Sequence, residues 1–253
     1  STQIATSLEN AELYANLKEA LAQSQALHLA SSRFVPNEFL HLLGKKNLTD
    51  VSLGDNIQRE MAVFFSDIRG FTTLSEQMTP EDNFRFINSY LGKLGPVIRE
   101  AGGFIDKYIG DAIMALFLDA ESAVSAALEI QRKLDHYNRA RREKGFLGLR
   151  TGIGIHAGPL MLGTIGEADR MEGTVISDTV NLASRLESLS AHYGAGIIVS
   201  EQAMQQQKSP RLHRVLDRVL VKGKKKALEI IEVLDPERSS DQRLRYETAD
   251  RFA

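Results

Sequence analysis

The chain has 253 residues, enough for one catalytic domain with a sizeable core plus an extension, or for two small domains. Its 31 Lys and Arg nearly balance 33 Asp and Glu, and the net charge of −2 gives no argument for a nucleic-acid or anionic-membrane partner. The absence of cysteine excludes disulfides, thiolate catalysis and zinc–thiolate sites, and it fits a reducing cytoplasm, the expected location.

No apolar run approaches the roughly 20 residues that span a bilayer, and the N-terminus lacks the basic and apolar regions of a signal peptide. Ser1 as first residue suggests a fragment of a longer chain. Residues 1–32 hold no Pro or Gly. Ile4, Leu8, Leu17, Leu21 and His28 partly suit one helical stripe, and Leu13, Leu17, Ala20 and Leu27 suit a competing one. This pattern predicts a helix, either a parallel coiled coil or a single solvated helix. Phe34 to Leu43 reads as a short helix started by Pro36. Gly44 to Ile57 reads as a polar connector, with the folded domain beginning near Glu60. The expected organisation is a helix over 1–33, a short helix and connector over 34–59, a catalytic domain over 60–235 and a tail over 236–253.

From Met61 the periods alternate. Met61–Phe65 has strand length, and Thr79-Pro80-Glu81-Asp82 starts a helix, with Thr as N-cap and Pro in the first turn. Phe104–Ile109 and Ala112–Leu118 read as a hairpin joined at Gly110-Asp111. A helix over about Ala120 to Arg142 follows, then strands at Leu149–His156 and Pro159–Ile165, a helix at Asp178–Leu189 and a short strand at Ile197–Val199. Val215–Val221 and Ala227–Val233 read as a closing hairpin. The order strand, helix, strand, strand, helix, strand predicts an α+β ferredoxin-like sandwich with additions after it.

In that topology the first strand runs beside the hairpin, which brings Asp67, at the end of the first strand, towards Asp111 in the hairpin turn. Paired hard oxygen ligands suit magnesium, which takes one or two carboxylates and completes its shell with water and phosphate. The bland alternative is a helix cap and a turn residue. Ile68 to Thr72 turns into a helix whose free amides could cradle a phosphate. Asn181 and Arg185, four apart on the predicted helix, share a face, where the arginine either meets a phosphate or pairs with Glu187 or another surface acid. Lys222 lies in the basic turn Lys222-Gly223-Lys224-Lys225-Lys226, which by itself reads as solvated. Arg139 to Lys144 also reads as solvated, and His156 as a packed core residue. Six scattered His and no Cys make no zinc site.

Together FSDIRGFT (65–72), FIDKYIGDAIMALF (104–117), LRTGIGIHAGPL (149–160), GTVISDTVNLASRLE (173–187) and VKGK (221–224) resemble the class III adenylyl/guanylyl cyclase catalytic domain, most of all the cyanobacterial and soluble-type bacterial adenylyl cyclases. The match runs from about Phe34 to Leu234. A shorter stretch, residues 4–20, resembles the end of a GAF sensor running into a signalling helix.

The resemblance implies conversion of ATP to cyclic AMP and pyrophosphate by a homodimer with two shared sites, each using two magnesium ions, with manganese as an alternative. It implies metal binding by Asp67, Asp111 and the Ile68 carbonyl, transition-state stabilisation by Arg185, and ribose orientation by Asn181. Arg150 and Lys222 would grip the β- and γ-phosphates, and Phe71 and Thr72 belong to the substrate loop. Lys107 and Thr174 would read adenine, the lysine donating to N1 and the threonine accepting from the 6-amino group. Asp67, Asp111 and Arg150 would come from one subunit, and Lys107, Thr174, Asn181, Arg185 and Lys222 from its partner. An upstream sensor would complete the chain. A guanylyl cyclase and a catalytically silent cyclase-like module are the alternatives.

Overall fold

The computed structural model of the chain describes residues 2–220 and 227–235. Two compact units divide it, residues 1–52 and residues from 53 onward. The first holds α1 (Thr2–Ser31), α2 (Asn37–Leu42) and a 3-10 turn at Leu48–Asp50. Pro36 precedes α2 at its N-cap position. Along α1, Leu13, Tyr14, Leu17 and Leu21 are all exposed. No helix among the described residues is long and apolar enough to cross a membrane.

The second unit is built on one sheet. Its strands are β1 (Asn56–Ile68), β2 (Phe104–Ile109), β3 (Ala112–Phe117), β4 (Thr151–Glu167), β5 (Arg170–Ile176), β6 (Ile197–Ser200), β7 (His213–Val219) and β8 (Leu228–Val233). The helices are α3 (Phe71–Ser75), α4 (Pro80–Glu100), α5 (Ala120–Glu143), α6 (Asp178–His192) and α7 (Glu201–Gln205). The sheet runs β2-β3-β1-β4-β6-β8-β7, with β5 paired to β4 beside this path. Antiparallel β2, β3, β1 and β4 with α4 and α5 form the ferredoxin-like core that the element order predicts.

Strand alternation sorts the side chains. Ala62, Phe64 and Ile68 of β1, with Ile153, Ile155 and Ala157 of β4, join the core under α4 and α5. Phe64 is fully buried there, a contribution of about 1.5–3 kcal/mol. α4 is held at its start by Thr79, whose Oγ1 accepts from Asp82 N at 3.2 Å, with Pro80 in the first turn. The opposite face carries Phe65 and Asp67, which pair with Gly154 and Gly152 of β4. There α6 approaches the strand at backbone distance. A Cβ on Gly154 would collide with the Glu187 amide nitrogen and lie 2.5 Å from the Ala183 carbonyl oxygen.

Several elements differ from the sequence-based expectation. β1 begins at Asn56, inside the expected connector, because its polar first residues pair with β4 while largely exposed, without apolar alternation. Residues 149–165 are not two strands: β4 is continuous through Pro159. It pairs with β6 over 153–155 and with β5 over 161–167, so Pro159 falls where that edge needs no donor. β5 and the short α7 are additional elements; most of β5 is exposed and carries no buried-strand pattern. In the closing pair β7 spans His213–Val219, and β8 lies between β6 and β7. The expected turn at 221–226, including Lys222, lies outside the described residues.

The glycine gap is testable. Gly154→Ala should cost at least about 2 kcal/mol, because backbone rather than a flexible side chain must move. The loss should lower Tm by roughly 5 °C or more. Calorimetry checks it, and an unchanged Tm would contradict the close approach of α6.

Candidate active site

β1 delivers Asp67 one residue before its end, and Arg69-Gly70 turn the chain into α3, with Gly70 at φ 71°. Asp111 sits in the tight β2–β3 turn beside Gly110, itself at φ 64°. The two acids meet as expected. The Ile68 amide donates to Asp111 Oδ2 at 3.2 Å, which pins the turn to the strand end. Burial and a hydrogen bond shared with the Asp67 carboxyl push the Asp111 carboxyl up to about 7. Asp67 Oδ1 is buried with no hydrogen-bond partner.

A carboxyl pair that retains a proton near neutrality, with one oxygen unsatisfied, calls for a cation. Among the described residues no three His, Cys, Asp or Glu cluster as a ready metal cage. Two carboxylates fit an ion that draws its remaining ligands from water and phosphate. The Ile68 side chain is buried in the core, so its carbonyl is the group that could join them.

Beside this pair lies a set of residues that sequence reasoning missed. Arg69 Nη2 donates to Ser190 Oγ at 2.9 Å and to the Ala195 carbonyl, tying the end of β1 to α6 and the loop after it. Burial pushes the Glu187 carboxyl up to about 7, with the Asp67 charge adding to the rise and Arg69 opposing it. The available signal was Gly152: a Cβ there would lie 2.8 Å from Glu187 Oε1 and against Ser190. Glu187, which the sequence reading weighed as a partner for Arg185, thus lies with its carboxyl against β4.

Lys107 and Thr174 also come together, Nζ lying 3.4 Å from Oγ1. Lys107 Nζ is also 3.2 Å from Glu172 Oε1 and 3.6 Å from Asp106 Oδ2. A β-bulge between Ile105 and Lys107 leaves Asp106 as the extra residue, which re-aims its neighbour. Neither Lys107 nor Thr174 touches Asp67 or Asp111 through a hydrogen bond or ion pair among the described residues.

On α6, Leu182, Ala183 and Leu186 face inward, while Asn181 is exposed and Arg185 half-buried. Arg150 is exposed just before β4, and its carbonyl accepts from the Arg69 amide at 2.9 Å. Phe71 does not present its ring to a ligand: it stacks on Phe86 at 6.2 Å and packs against the core. The first helical bond of α3 runs from Leu74 N to Gly70 O, so Phe71 and Thr72 offer backbone amides ahead of it. His156 is buried with Nδ1 2.7 Å from Ser200 Oγ, as expected of a core residue.

The second unit thus combines a ferredoxin-like sheet, two carboxylates at adjacent strand ends and an ammonium–hydroxyl pair. The family described as adenylate and guanylate cyclase catalytic domain matches residues 55–231, and the chain belongs to that family. It is 44% identical over 210 residues to an adenylate cyclase of Anabaena cylindrica, covering 79% of this chain and 42% of the relative. It is 40% identical over 241 residues to the terminal-differentiation specific adenylate cyclase of Dictyostelium discoideum, covering 92% of this chain and 11% of the relative. The chain thus spans less than half the length of either.

The adenylyl cyclase CyaB of P. aeruginosa superposes with a TM-score of 0.66 at 34% identity, covering 72% of this chain and 97% of that one. The guanylyl cyclase Cya2 superposes at 0.61, also with 34% identity, covering 70% and 93%. The fold is therefore shared by cyclases of both purines.

The acid pair yields a pH test in chelator. The protonated Asp111 and Glu187 are stabilising fully below their ordinary values of 3.8 and 4.5, and that contribution is lost as pH rises through about 7. The metal-free chain should lose denaturant midpoint over this range, and magnesium or manganese should restore it at and above pH 7. A flat profile, or no gain with either ion, would count against the carboxyl pair as a cation site.

Proposed function

We propose that the chain is an adenylate cyclase domain, converting ATP to 3′,5′-cyclic AMP and pyrophosphate at two equivalent sites shared across a homodimer. The observation that carries the reading is the Lys107–Thr174 pair within a cyclase fold. Since that fold serves adenylyl and guanylyl cyclases alike, the choice of purine rests on side chains that meet its edge. An ammonium donates to N1 of adenine and a hydroxyl accepts from its 6-amino group; guanine presents the opposite polarity at both places.

Asp67, Asp111 and the Ile68 carbonyl would hold two divalent ions, with magnesium the proposed metal and manganese an alternative. Bound there, the metals would lower the pKa of the ribose 3′-hydroxyl and offset the triphosphate charge. Arg185 donates to the charge that develops on the α-phosphate, a fork suited to phosphate oxygens. Asn181 orients the ribose, Arg150 and Lys222 hold the β- and γ-phosphates, and the amides at Phe71 and Thr72 line the same loop.

The outward placement of Asn181 and Arg185 on α6, with Glu187 turned inward beside Asp67, supports a division of labour between two chains. The exposed leucines of α1 support a parallel coiled coil that brings those chains together and receives a signal from a sensor upstream.

Two experiments test this reading. Asp67→Ala and Arg185→Ala should each be nearly inactive alone, yet regain cyclic AMP production when mixed and allowed to exchange. About half the dimers are then mixed, each with one intact site, so recovery should approach roughly a quarter of wild type. No recovery despite exchange proven with an affinity tag would place the site within one chain. The second compares ATP with GTP. Lys107→Glu with Thr174→Cys should lower the ATP:GTP ratio of kcat/KM by at least about tenfold, and an unchanged ratio would remove both residues from base recognition.

A further inference from the structure

The base-reading pair has a neighbour to which the reaction gives no role. Glu172 and Thr174 are two residues apart on β5 and so point to one face of the strand. Both meet the Lys107 ammonium, Glu172 through Oε1 at 3.2 Å and Thr174 through Oγ1 at 3.4 Å. Asp106, its side chain only 4% exposed, approaches the same ammonium to 3.6 Å from the buried side. Glu172, 60% exposed, occupies the open side. The three side chains thus form a row in the order Thr174, Lys107, Glu172.

The Watson–Crick edge of a purine is also a row: the 6-substituent, N1, then the 2-substituent. Residues two apart on a strand are separated by about 6.6 Å, a span comparable to that edge. With Thr174 at the 6-amino group and Lys107 at N1, the next side chain in the row stands at C2.

We propose that Glu172 reads the purine 2-position, so that the site takes an adenine nucleotide bearing a 2-amino group more tightly than ATP itself. This rests on the assignment of Lys107 and Thr174 as base readers. A carboxylate only accepts hydrogen bonds. Adenine offers it a C2–H, so with ATP bound Glu172 stays engaged with Lys107. A 2-amino group supplies N–H donors and a charge-assisted bond, the stronger kind. Guanine carries the same 2-amino group but sets an N1–H against the Lys107 ammonium. Lys107 therefore rejects guanine even though Glu172 is suited to half of it. The combination that satisfies all three side chains is 2,6-diaminopurine.

The test uses the intact protein and nucleotides that cannot cyclise. Calorimetry with magnesium present measures binding of 3′-deoxy-ATP and its 2-amino counterpart to wild type, Glu172→Ala and Lys107→Ala. The wild type should bind the 2-amino nucleotide about three- to tenfold more tightly, and the ratio of the two affinities should fall to about one in Glu172→Ala. Equal affinities in the wild type, or a preference that survives Glu172→Ala, overturns the proposal. Lys107→Ala separates the two layers of inference. If it leaves 3′-deoxy-ATP binding unchanged, the base does not sit at Lys107, and the assignment beneath the proposal falls with it. If it weakens that binding while the wild type shows no preference for the 2-amino nucleotide, the role of Glu172 alone is lost.

Discussion

A helix can rest on a strand at backbone contact only where the strand has no side chains, and the second unit depends on β4 providing such a place. Gly152 and Gly154 face α6: the backbone at Ala183 and Glu187 occupies the space a side chain on Gly154 would have filled, and the side chains of Ser190 and Glu187 occupy that of Gly152. That contact fixes the rotation of α6 about its own axis. Once Ala183 and Glu187 are turned to the strand, Asn181 and Arg185 are turned away from it, the first exposed and the second half-buried, since a helix turns about 100° per residue. The two glycines thus determine which residues α6 places beside Asp67 and which it turns away from the strand.

Charge is distributed by the same geometry. A chain with almost no net charge still sets Asp111 against Asp67 and exposes Glu187 to the Asp67 charge, with Arg69 opposing it. The outcome is protonation near neutrality for two of the three. Asp67 Oδ1 is buried there without a hydrogen-bond partner. Around Lys107 a single ammonium stands among two carboxylates, those of Glu172 and Asp106, and the Thr174 hydroxyl.

Much of this was legible in the sequence. The Asp67 and Asp111 motifs, the hairpin turn and the capped start of α4 announce themselves through local chemistry, and the Lys107–Thr174 pair through the resemblance to the cyclase family. The unread parts are those whose signal is not local. β5 is polar and exposed, so its strand character comes only from pairing with β4. Pro159 looks like a break and is tolerated because two ladders happen to leave it between them. Glu187 resembles any surface acid of an amphipathic helix until Gly152 shows where the helix is seated. Asp106 and Glu172 matter only through contacts with Lys107, one across a bulge and the other across 65 residues of chain.

The bulge at Asp106 has a consequence for parity. Side chains on a strand alternate between its two faces, so an added residue exchanges the faces for everything after it. Ile105 lies opposite Ala115, and both belong to the side packed under α4 and α5. Regular pairing would then set Lys107 opposite Ile113, in that apolar layer. The extra residue sets it opposite Met114 instead, and Met114 pairs with Phe65 on the face that also carries Asp67. Deleting Asp106, the one residue between Ile105 and Lys107, would restore regular pairing and turn the ammonium into the core.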